Sequence, residues 1–535
     1  MIIITELCER YSYYGLRSVL IMYLTKKLNY SDSTAQAIYA YIMSIAYTMP
    51  LIGGALADSV LGKFRTILMC SIVYIAGAAT LAFWQERPGA FLGLIMICMG
   101  TGGIKPNISS FGGDQLDPNN STLSNTFFNM FYFSINVGSV MSTLVTPEIR
   151  EHYSFRTAFA IPAVMLCVAT LVFFLGRNYY HHAQPQGSPL IRVYKIIRAA
   201  LRNKNKAEVN ETSSLLPPEA DSAVIANNAE HVQQAPEQSA NVGDNSNQPA
   251  DSDMDELGYK RNWLDHARAE FPDSDVNDVK QVWRLVPILA FLPIFWTLFD
   301  QQGSTWSLQA KKLDLNTFFG KLKPEQMQAM NPILIVCLVP IAQGVVYPFL
   351  RRRGFPLSPL NRMIFGMILT TCAFASAGVL DLMIQHQGSG KVKCYYQIPQ
   401  YVLLSTAELL VSTTGLEFAF TQAPSTMKST VASLYLLTVA IGDIVAGSIF
   451  SAVKTKPFII SYLCAGLMLL NAFIFSFITR SYKFAPGTDP DEQLAQFLQQ
   501  DRAANMSKDP KEPLLLVEEH SERSENAEAA SPQPQ

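Results

Sequence analysis

Long apolar stretches recur along this chain and constrain its fold more than any other feature. The hydrocarbon core of a bilayer is about 30 Å thick, so one helical crossing takes about 20 apolar residues. Hydrophobic residues make up 49% of the sequence and charged residues only 16%, which leaves room for many such stretches. We predict an all-α membrane protein with twelve transmembrane helices, at approximately 1–25, 34–57, 64–84, 89–110, 123–146, 155–176, 284–302, 326–349, 361–384, 396–421, 429–453 and 457–479.

The spacing of the predicted spans divides the chain into two halves. Six spans precede a long polar interruption and six follow it, which is typical of transporters built from two similar bundles with a site between them. The predicted parts are an N-terminal six-helix bundle at 1–176, a cytoplasmic linker at 177–283, a C-terminal six-helix bundle at 284–480 and a disordered cytoplasmic tail at 481–535.

Basic residues predict which side of the membrane the termini occupy. An even number of spans puts both termini on one side, and Lys63, Arg65 and the run Arg351 to Arg353 lie on that same side. Cytoplasmic loops carry an excess of lysine and arginine. We therefore expect the termini and the central linker in the cytoplasm, although two pairs of lysines fall on the other side.

The linker has three parts that differ in composition. Ser188 and Pro189 begin a segment with apolar residues on one face and basic residues on the other, which predicts an amphipathic helix along the inner membrane surface. Residues 204–256 are polar and acidic with scarcely an aromatic, so we expect them to be disordered. A helical pattern returns at Trp263 to Arg268 and leads into the seventh span.

The first span carries charges that a lipid-facing helix would not keep. At about 100° per residue, Glu6, Glu9, Arg10, Tyr13 and Arg17 fall on one face of the helix. An ionisable group at membrane depth persists where it faces a bundle interior or a watery cavity and has a partner. Two carboxylates beside an arginine can hold and release a proton. This face predicts the wall of a polar path through the membrane.

Two further segments carry unusual residues for a membrane protein. After the second span, Gly54 to Arg65 combines glycines with Asp58 and basic residues, and it resembles the cytoplasmic loop signature of the major facilitator superfamily. In the fourth span, Lys105 directly precedes a proline in a glycine-rich stretch. A lysine there is costly unless it faces the cavity and meets a carboxylate.

Several long motifs together resemble one family. The segment from Glu6 to Arg10, the Lys105 segment and Phe131 to Ser139 in the first half are similar to the proton-dependent oligopeptide transporter (solute carrier 15) family. The matching residues of the second half are Phe295 to Ser304, Asn331, Glu408 and Gly415 to Phe418. The resemblance is strongest to the animal intestinal and renal peptide transporters. It implies the major facilitator fold, with two six-helix bundles.

The resemblance also implies roles for individual residues. Family positions that hold the carboxyl end of a peptide match Arg17 and Lys105. Positions that hold its amino end match Asn136, Asn331 and Glu408. The aromatic lining of side-chain pockets matches Tyr23, Tyr47, Tyr132 and Trp296. Proton handling matches Glu6, Glu9, Arg10 and Glu408. The alternatives are packing roles for the single tyrosines and purely structural ion pairs for the buried charges.

The chain departs from this family at its titratable positions. Ala40 stands where the animal transporters place a histidine in the second span, and all seven histidines lie outside the predicted spans. Arg284 matches a gating arginine of the family. The family pairs that arginine with an acidic residue in the eighth span, and this chain has the neutral Gln343 at that position. Asp443 is an acid where related sequences tend to be neutral. We hypothesise that Asp443 compensates for the missing acid.

Other departures concern the ends and the loops. A short loop joins spans nine and ten, where the animal plasma-membrane type carries a large external domain. The first span of the family begins before the position that Met1 matches, which implies a shortened isoform or an incompletely predicted gene. The sequence from Glu211 to Leu216 fits an acidic dileucine signal for endosomes or lysosomes, against which plain disorder is the alternative.

These observations predict a proton-coupled symporter of di- and tripeptides and peptide-like compounds that works by alternating access. We expect no cofactor besides the proton as coupling ion, no enzymatic activity, no nucleic-acid partner, and a monomer in the plasma membrane. The sequence has no Gly-rich phosphate-binding loop for ATP-driven pumping. The alternatives are a facilitative or differently coupled carrier of other amphoteric solutes, such as histidine, nitrate or drugs, and a non-transporting sensor or scaffold.

Overall fold

A computed structural model describes residues 1–117, 121–182, 184–185, 187–214, 262–318, 320–353, 358–453, 455–482 and 484. The predicted tail beyond residue 484 and the linker residues 215–261 lie outside this description, and with them the predicted dileucine pair. Two compact units are present. One combines Met1–Pro189 with Val282–Gln535, and the other is Leu190–Gln281.

The first half of the chain folds into six long helices at the predicted positions. A π-helical turn at Tyr23–Lys27 extends the first helix, and a second one at Ala57–Leu61 extends the second. The helices are α1 (Ile2–Met22), α2 (Asp32–Leu56), α3 (Lys63–Phe83), α4 (Arg87–Gly113), α5 (Ser121–His152) and α6 (Phe155–Leu175). Serine residues begin two of them. Ser31 accepts the backbone N–H of Thr34 at 3.3 Å, and Ser154 accepts that of Thr157 at 3.2 Å.

The second half follows the same plan with more interruptions. Its helices are α8 (Asp273–Leu289), α9 (Leu292–Phe299), α10 (Thr305–Ala310), α11 (Met330–Ile341), α12 (Tyr347–Arg352), α13 (Pro359–Gln387), α14 (Ile398–Glu408), α15 (Thr414–Gln422), α16 (Lys428–Ala452) and α17 (Pro457–Thr479), after the linker helix α7 (Pro189–Ser214). A two-stranded antiparallel ribbon, β1 (Asn316–Thr317) with β2 (Gly320–Lys321), lies between α10 and α11.

Nine helices of the described chain are long and apolar enough to cross a membrane. A tenth crossing is formed if the pair Asp273–Leu289 and Leu292–Ala310, bent by 50° relative to each other, counts as one span. The other two predicted spans correspond to α1 and α5, whose composition is less apolar than that of these helices. In α1 the reason is the charged face, because Glu6, Glu9, Arg10 and Arg17 lie within one helix of 21 residues.

Glycines let helices approach closely at two places that matter for the site. A Cβ atom at Gly53 of α2 would lie 2.5 Å from the carbonyl oxygen of Gly102 in α4. A Cβ atom at Gly442 of α16 would lie 2.5 Å from the carbonyl oxygen of Pro293 in α9. Any side chain at either position would force the backbones apart. The second contact holds Asp443, the residue after Gly442, close to the end of α9.

The unit Leu190–Gln281 contains most of the linker helix. Residues 192–202 of α7 form ion pairs within the unit, Arg192 with Asp275 and Arg202 with Glu270. The expectation of disorder from residue 204 is wrong as far as Ser214, because α7 continues to that residue. The helix thus extends beyond the segment that carries its apolar face. Five of its last eleven residues, 204–214, are lysine, alanine or glutamate, which favour continuation of the helix beyond the point where the apolar pattern ends.

Asp265 anchors the second part of this unit. Its carboxylate accepts a hydrogen bond from the Asn262 backbone at 2.7 Å and meets the Lys280 ammonium at 2.6 Å. Partial burial acts to raise the pKa of Asp265, but the hydrogen bonds from Lys280, Asn262 and Arg268 outweigh it and lower the pKa below its ordinary value.

Candidate functional site

The charged face of α1 is buried inside the first bundle. Arg10 forms ion pairs of 2.8 Å with both Glu6 and Glu9, and each of the three residues is at most 3% exposed. Thr101 of α4 donates a hydrogen bond of 2.6 Å to Glu9. Two carboxylates face one guanidinium here, so one carboxylate charge remains for a proton or a second cation to balance. The structure therefore brings together the three residues predicted to handle protons on α1.

Lys105 lies between two aromatic rings of the same bundle. Its ammonium is 4.1 Å from the ring centroid of Tyr47 and 5.7 Å from that of Tyr13. The faces of phenol rings attract cations, which stabilises a lysine at membrane depth without a direct carboxylate partner. Lys105 also interacts electrostatically with Glu9 and Asp300. The predicted carboxylate contact is not found among the described residues, because two phenol rings lie against this ammonium instead.

Arg17 links the two bundles. Its guanidinium pairs with Asp300, which follows α9, and its Nε donates a hydrogen bond of 2.9 Å to the Tyr39 hydroxyl. Arg17, Asp300 and Tyr39 are all buried. The sequence prediction placed Arg17 against a peptide carboxylate and did not single out Asp300 or Tyr39. A charged residue inside an apolar span was the signal that could have identified Asp300.

Glu408 and Asn331 form a polar pair in the second bundle. The Asn331 amide donates hydrogen bonds of 2.7 Å to Glu408 and 3.2 Å to Ser405. Glu408 is half-buried and is followed at once by the π-helical turn Leu409–Thr413. Such turns interrupt the regular helix and are frequent at functional sites. Two of the three residues predicted for the amino end of a peptide, Asn331 and Glu408, are thus in direct contact.

The predicted aromatic lining divides into residues with different surroundings. Trp296 is 7% exposed and packs edge-on against Tyr435, at 6.0 Å between ring centroids. Tyr47 contacts Lys105, as described above, and Tyr132 is 52% exposed. Asn136, one turn after Tyr132, donates its amide to the Tyr132 carbonyl at 2.8 Å. Its amide oxygen is left for another donor.

Tyr23 is a correction. The residue is fully buried in the core of the first bundle, with its ring 5.3 Å from Phe155 and 5.0 Å from Phe159. Its hydroxyl points to the Gln85 carbonyl, at 3.4 Å. Tyr23 therefore packs between helices and does not line the space that contains Lys105 and Glu408. The alternative of a packing tyrosine holds here, because the Tyr23 ring packs against two phenylalanines of α6.

The predicted gating residues have different surroundings. Arg284 and Gln343 are exposed, Arg284 near the beginning of the bent seventh span and Gln343 in the π-helical turn Ala342–Val346. Asp443 is 0% exposed, and the charged groups that act on it are Asp300 and Arg17. Arg284 and Asp300 lie at opposite ends of the same span. Asp443 is therefore not placed to replace an acid opposite Arg284.

An ion pair that the sequence prediction missed joins the bundles at one end. Arg150 of α5 meets Glu325, just before α11, at 2.8 Å, and both side chains are buried. Other contacts across the bundles lie at the same end, namely Gln326 to the Leu144 carbonyl at 2.9 Å, Gln328 to the Ser18 carbonyl at 3.2 Å and Gln36 to Thr305 at 3.1 Å. We call this end, defined by Gln36, Arg150, Thr305 and Glu325, the closed end.

Metal coordination is not supported by the arrangement of side chains. In the part of the chain that the structure describes, no group of three or more His, Cys, Asp and Glu residues is placed to hold a metal ion. The chemistry of this site is that of carboxylates, basic side chains and phenols, which bind charged solutes and exchange protons.

Membrane-length helices in two bundles, with buried acids and arginines at their interface, define a multi-pass membrane protein. A sequence profile described as the POT family matches residues 64–465 of the chain. The chain belongs to this family, and the family is one of transporters, as the sequence motifs predicted.

Individual relatives agree with this assignment. The chain is 35% identical over 409 residues to solute carrier family 15 member 1 of Canis lupus familiaris, a match that covers 72% of this chain and 51% of the relative. It is 32% identical over 431 residues to solute carrier family 15 member 2 of Homo sapiens, covering 78% of this chain and 53% of the relative. The chain thus spans about half the length of the curated relatives it matches.

Solved structures agree on the fold. The in meso crystal structure of the POT family transporter PepTSo matches with a TM-score of 0.73 and 30% identity, over 90% of this chain and 97% of that one. An auto-inhibited POT family peptide transporter matches with a TM-score of 0.72 and 29% identity, over 91% of this chain and 98% of that one. The family and the fold class that the sequence predicted are therefore confirmed.

Proposed function

We propose that this protein is a proton-coupled symporter of di- and tripeptides and peptide-like compounds. Membership of the POT family supports the class, and one of the matching structures is named as a peptide transporter. The observation that carries the proposal is the distribution of charge between the bundles. Arg17 and Lys105 supply positive charge from the first bundle, and Glu408 with Asn331 supplies negative charge and acceptor oxygens from the second.

A zwitterionic peptide needs both kinds of wall. Its carboxylate binds where cations lie, and its ammonium binds where a carboxylate or carbonyl lies, through charge-assisted hydrogen bonds worth about 1.5–3 kcal/mol each. Tyr14 of α1 interacts electrostatically with both Arg17 and Glu408, which supports a common space for the two walls. Because these contacts involve only the peptide termini, peptide side chains of varied shape can pack against Tyr47, Tyr132 and Trp296.

The proposed cycle uses alternating access. We take the closed end as the external end, with both termini in the cytoplasm, so in the proposed cycle the described conformation has its external end closed. Glu6, Glu9, Arg10 and Glu408 are the proposed proton-handling groups, and the proton is the only coupling ion. We place a monomer of the protein in the plasma membrane. Endosomes and lysosomes are the alternative that the dileucine pattern offers.

Labelled dipeptide uptake tests the function. The protein would be expressed in cells without endogenous peptide uptake, and accumulation would be measured at acidic and at mildly alkaline external pH. We expect acid-stimulated accumulation that Glu408→Gln abolishes, because the neutral amide can neither release a proton nor hold the peptide ammonium as tightly. Glu86→Gln is the matched control, since Glu86 is exposed at the beginning of α4 and lies away from the site.

The outcome that contradicts the proposal is equally specific. Protein that reaches the cell surface and accumulates no dipeptide at either pH would refute peptide symport. Uptake of another amphoteric solute by the same cells would then identify the carrier of other solutes as the better description.

A further inference from the structure

We propose that Asp443 and Asp300 form a carboxyl pair that binds one proton, and that this proton is required for the closed end to stay closed. The proposal rests on the proposed function in one respect only, namely that proton movement at this pair is coupled to peptide movement. The existence of the proton site itself is independent of the substrate.

The contact between the two acids is the first observation. Asp443 of α16 lies within hydrogen-bonding reach of Asp300. Asp443 is 0% and Asp300 is 3% exposed, so both carboxyl groups are shielded from bulk water. Gly442 allows this proximity, because it brings the backbone of α16 against that of α9. Two bare carboxylates in contact, away from water, repel each other strongly.

The second observation is a shortage of donors. Arg17 pairs with one oxygen of Asp300, Oδ1. The other oxygen of Asp300 and both oxygens of Asp443 are buried, and no N–H or O–H donor from the described residues meets them. A carboxylate never donates a hydrogen bond. A proton on one of the two carboxyls turns the contact into an O–H···O hydrogen bond and supplies the missing donor.

The charges around the pair favour one proton. Arg17 of α1 is the cation in contact, and the phenols of Tyr39 and Tyr47 on α2 interact electrostatically with both acids. Lys105 of α4 and Glu408 of α14 also interact with the charge of Asp300. Lys105 attracts that charge and Glu408 repels it, so the two effects oppose each other. With one proton, the group of Arg17, Asp300 and Asp443 is neutral. Without it, the group carries one uncompensated negative charge in a buried place.

The position of the pair connects this charge to the conformation. Arg17 and Asp300 belong to different bundles, and α16 packs on α2 through Ala446 and Phe450 against Ala37 and Ala40. The pair lies just inside the closed end, since the Ser18 carbonyl next to Arg17 accepts from Gln328. When this end is open, the two carboxyl groups are in contact with water and can take up a proton. The bound proton then permits the bundles to close over them. Its later loss to water leaves a buried charge that favours reopening.

The test uses the purified full-length chain in liposomes, with Asp443→Asn, Asp443→Glu and the control Asp381→Asn. Asp381 is another buried acid of the second bundle, but Gln309 and Ser461 donate to it at 2.8 Å and 3.1 Å, so it needs no proton. Two readouts are independent of a proton gradient, namely counterflow exchange of labelled dipeptide and the infrared carbonyl band of protonated carboxyl groups. The third readout is accumulation driven by a proton gradient.

We expect Asp443→Asn to keep counterflow, because the amide donates an N–H to Asp300 as the protonated acid does. The same variant should lose gradient-driven accumulation and one protonated-carboxyl band, whereas Asp443→Glu and Asp381→Asn keep both. The inference is overturned if Asp443→Asn retains the band and concentrates dipeptide like the natural protein. It is also overturned if Asp443→Glu, folded and active in counterflow, fails to concentrate peptide. Absence of counterflow in the natural protein would refute the proposed function instead, and the infrared band would still test the pair.

Discussion

Removing the carboxylate of Glu325 should open the closed end. Glu325 is 0% exposed and pairs with Arg150, whose side chain is 6% exposed, so Glu325→Gln leaves a buried guanidinium without its buried partner. Breaking a buried ion pair from one side costs about 3–5 kcal/mol. Arg150 keeps its second partner, Glu151, at 2.5 Å, but that carboxylate is 45% exposed and such a pair contributes about 1 kcal/mol or less.

The cost of losing the Glu325 pair, less the contribution of Glu151, sets the expected shift of the equilibrium between the closed and open states. In the open state Arg150 is hydrated, so the closed state alone bears the cost, and at least about 2 kcal/mol remains after the contribution of Glu151. Since 1.4 kcal/mol is a factor of ten, the equilibrium should move about 30-fold toward opening of this end. The matched control is Glu151→Gln, which removes the exposed partner of the same arginine and should shift the equilibrium by about fivefold or less.

Distances between spin labels at the closed end measure this equilibrium. Lys27 in the first bundle and Ser389 in the second are both exposed and suit cysteine attachment. Exposed native cysteines would be replaced by serine, namely Cys167, Cys337 and Cys372. A longer distance component should appear in Glu325→Gln and stay minor in Glu151→Gln. Identical distance distributions in these two variants would show that burial of the Arg150 pair does not hold this end closed.

Three further predictions concern other parts of the molecule. Lys105→Gln should raise the KM for dipeptide uptake about tenfold or more, since a charge-assisted contact is lost, and a peptide amide without a carboxylate should show a smaller difference between variant and natural protein. Gly442→Ala should lower the thermal stability of the purified protein by about 1–3 kcal/mol through overpacking, whereas Gly344→Ala, with open space around it, should not. Burial raises the pKa of Asp265, but its hydrogen bonds outweigh burial and lower the pKa in the folded unit, so the stabilising contribution of Asp265 is present above about pH 4 and is lost as pH falls further. The hydrogen-exchange protection factors of residues 262–281, which are corrected for the intrinsic pH dependence of exchange, should therefore fall in acid, and those of Asp265→Asn should be the same above and below that pH.

Much of this protein could be predicted because the information is local. About twenty consecutive apolar residues are enough to form a helix that crosses a bilayer, and this tendency does not depend on contacts elsewhere in the chain. The helices lie close to the predicted boundaries for the same reason. The charged face of α1 is also local, since helical periodicity places Glu6, Glu9 and Arg10 together before any packing occurs. Their burial and mutual ion pairs follow from that spacing.

Other parts of the site depended on how the bundles pack. Arg17 and Asp300 are 283 positions apart, and Arg150 and Glu325 are 175 apart, so no spacing along the chain indicates either pair. Packing also decided the surroundings of Tyr23, because its ring lies against Phe155 and Phe159, which are more than 130 positions away in the sequence.

Asp443 shows the division most clearly. The sequence by itself determined that an acid lies in the middle of an apolar span and must have a partner. Only the tertiary structure decided that the partner is Asp300, because the glycine before Asp443 lets two backbones meet. Which charges become neighbours depends on contacts between helices, whereas which residues form helices depends on the residues themselves.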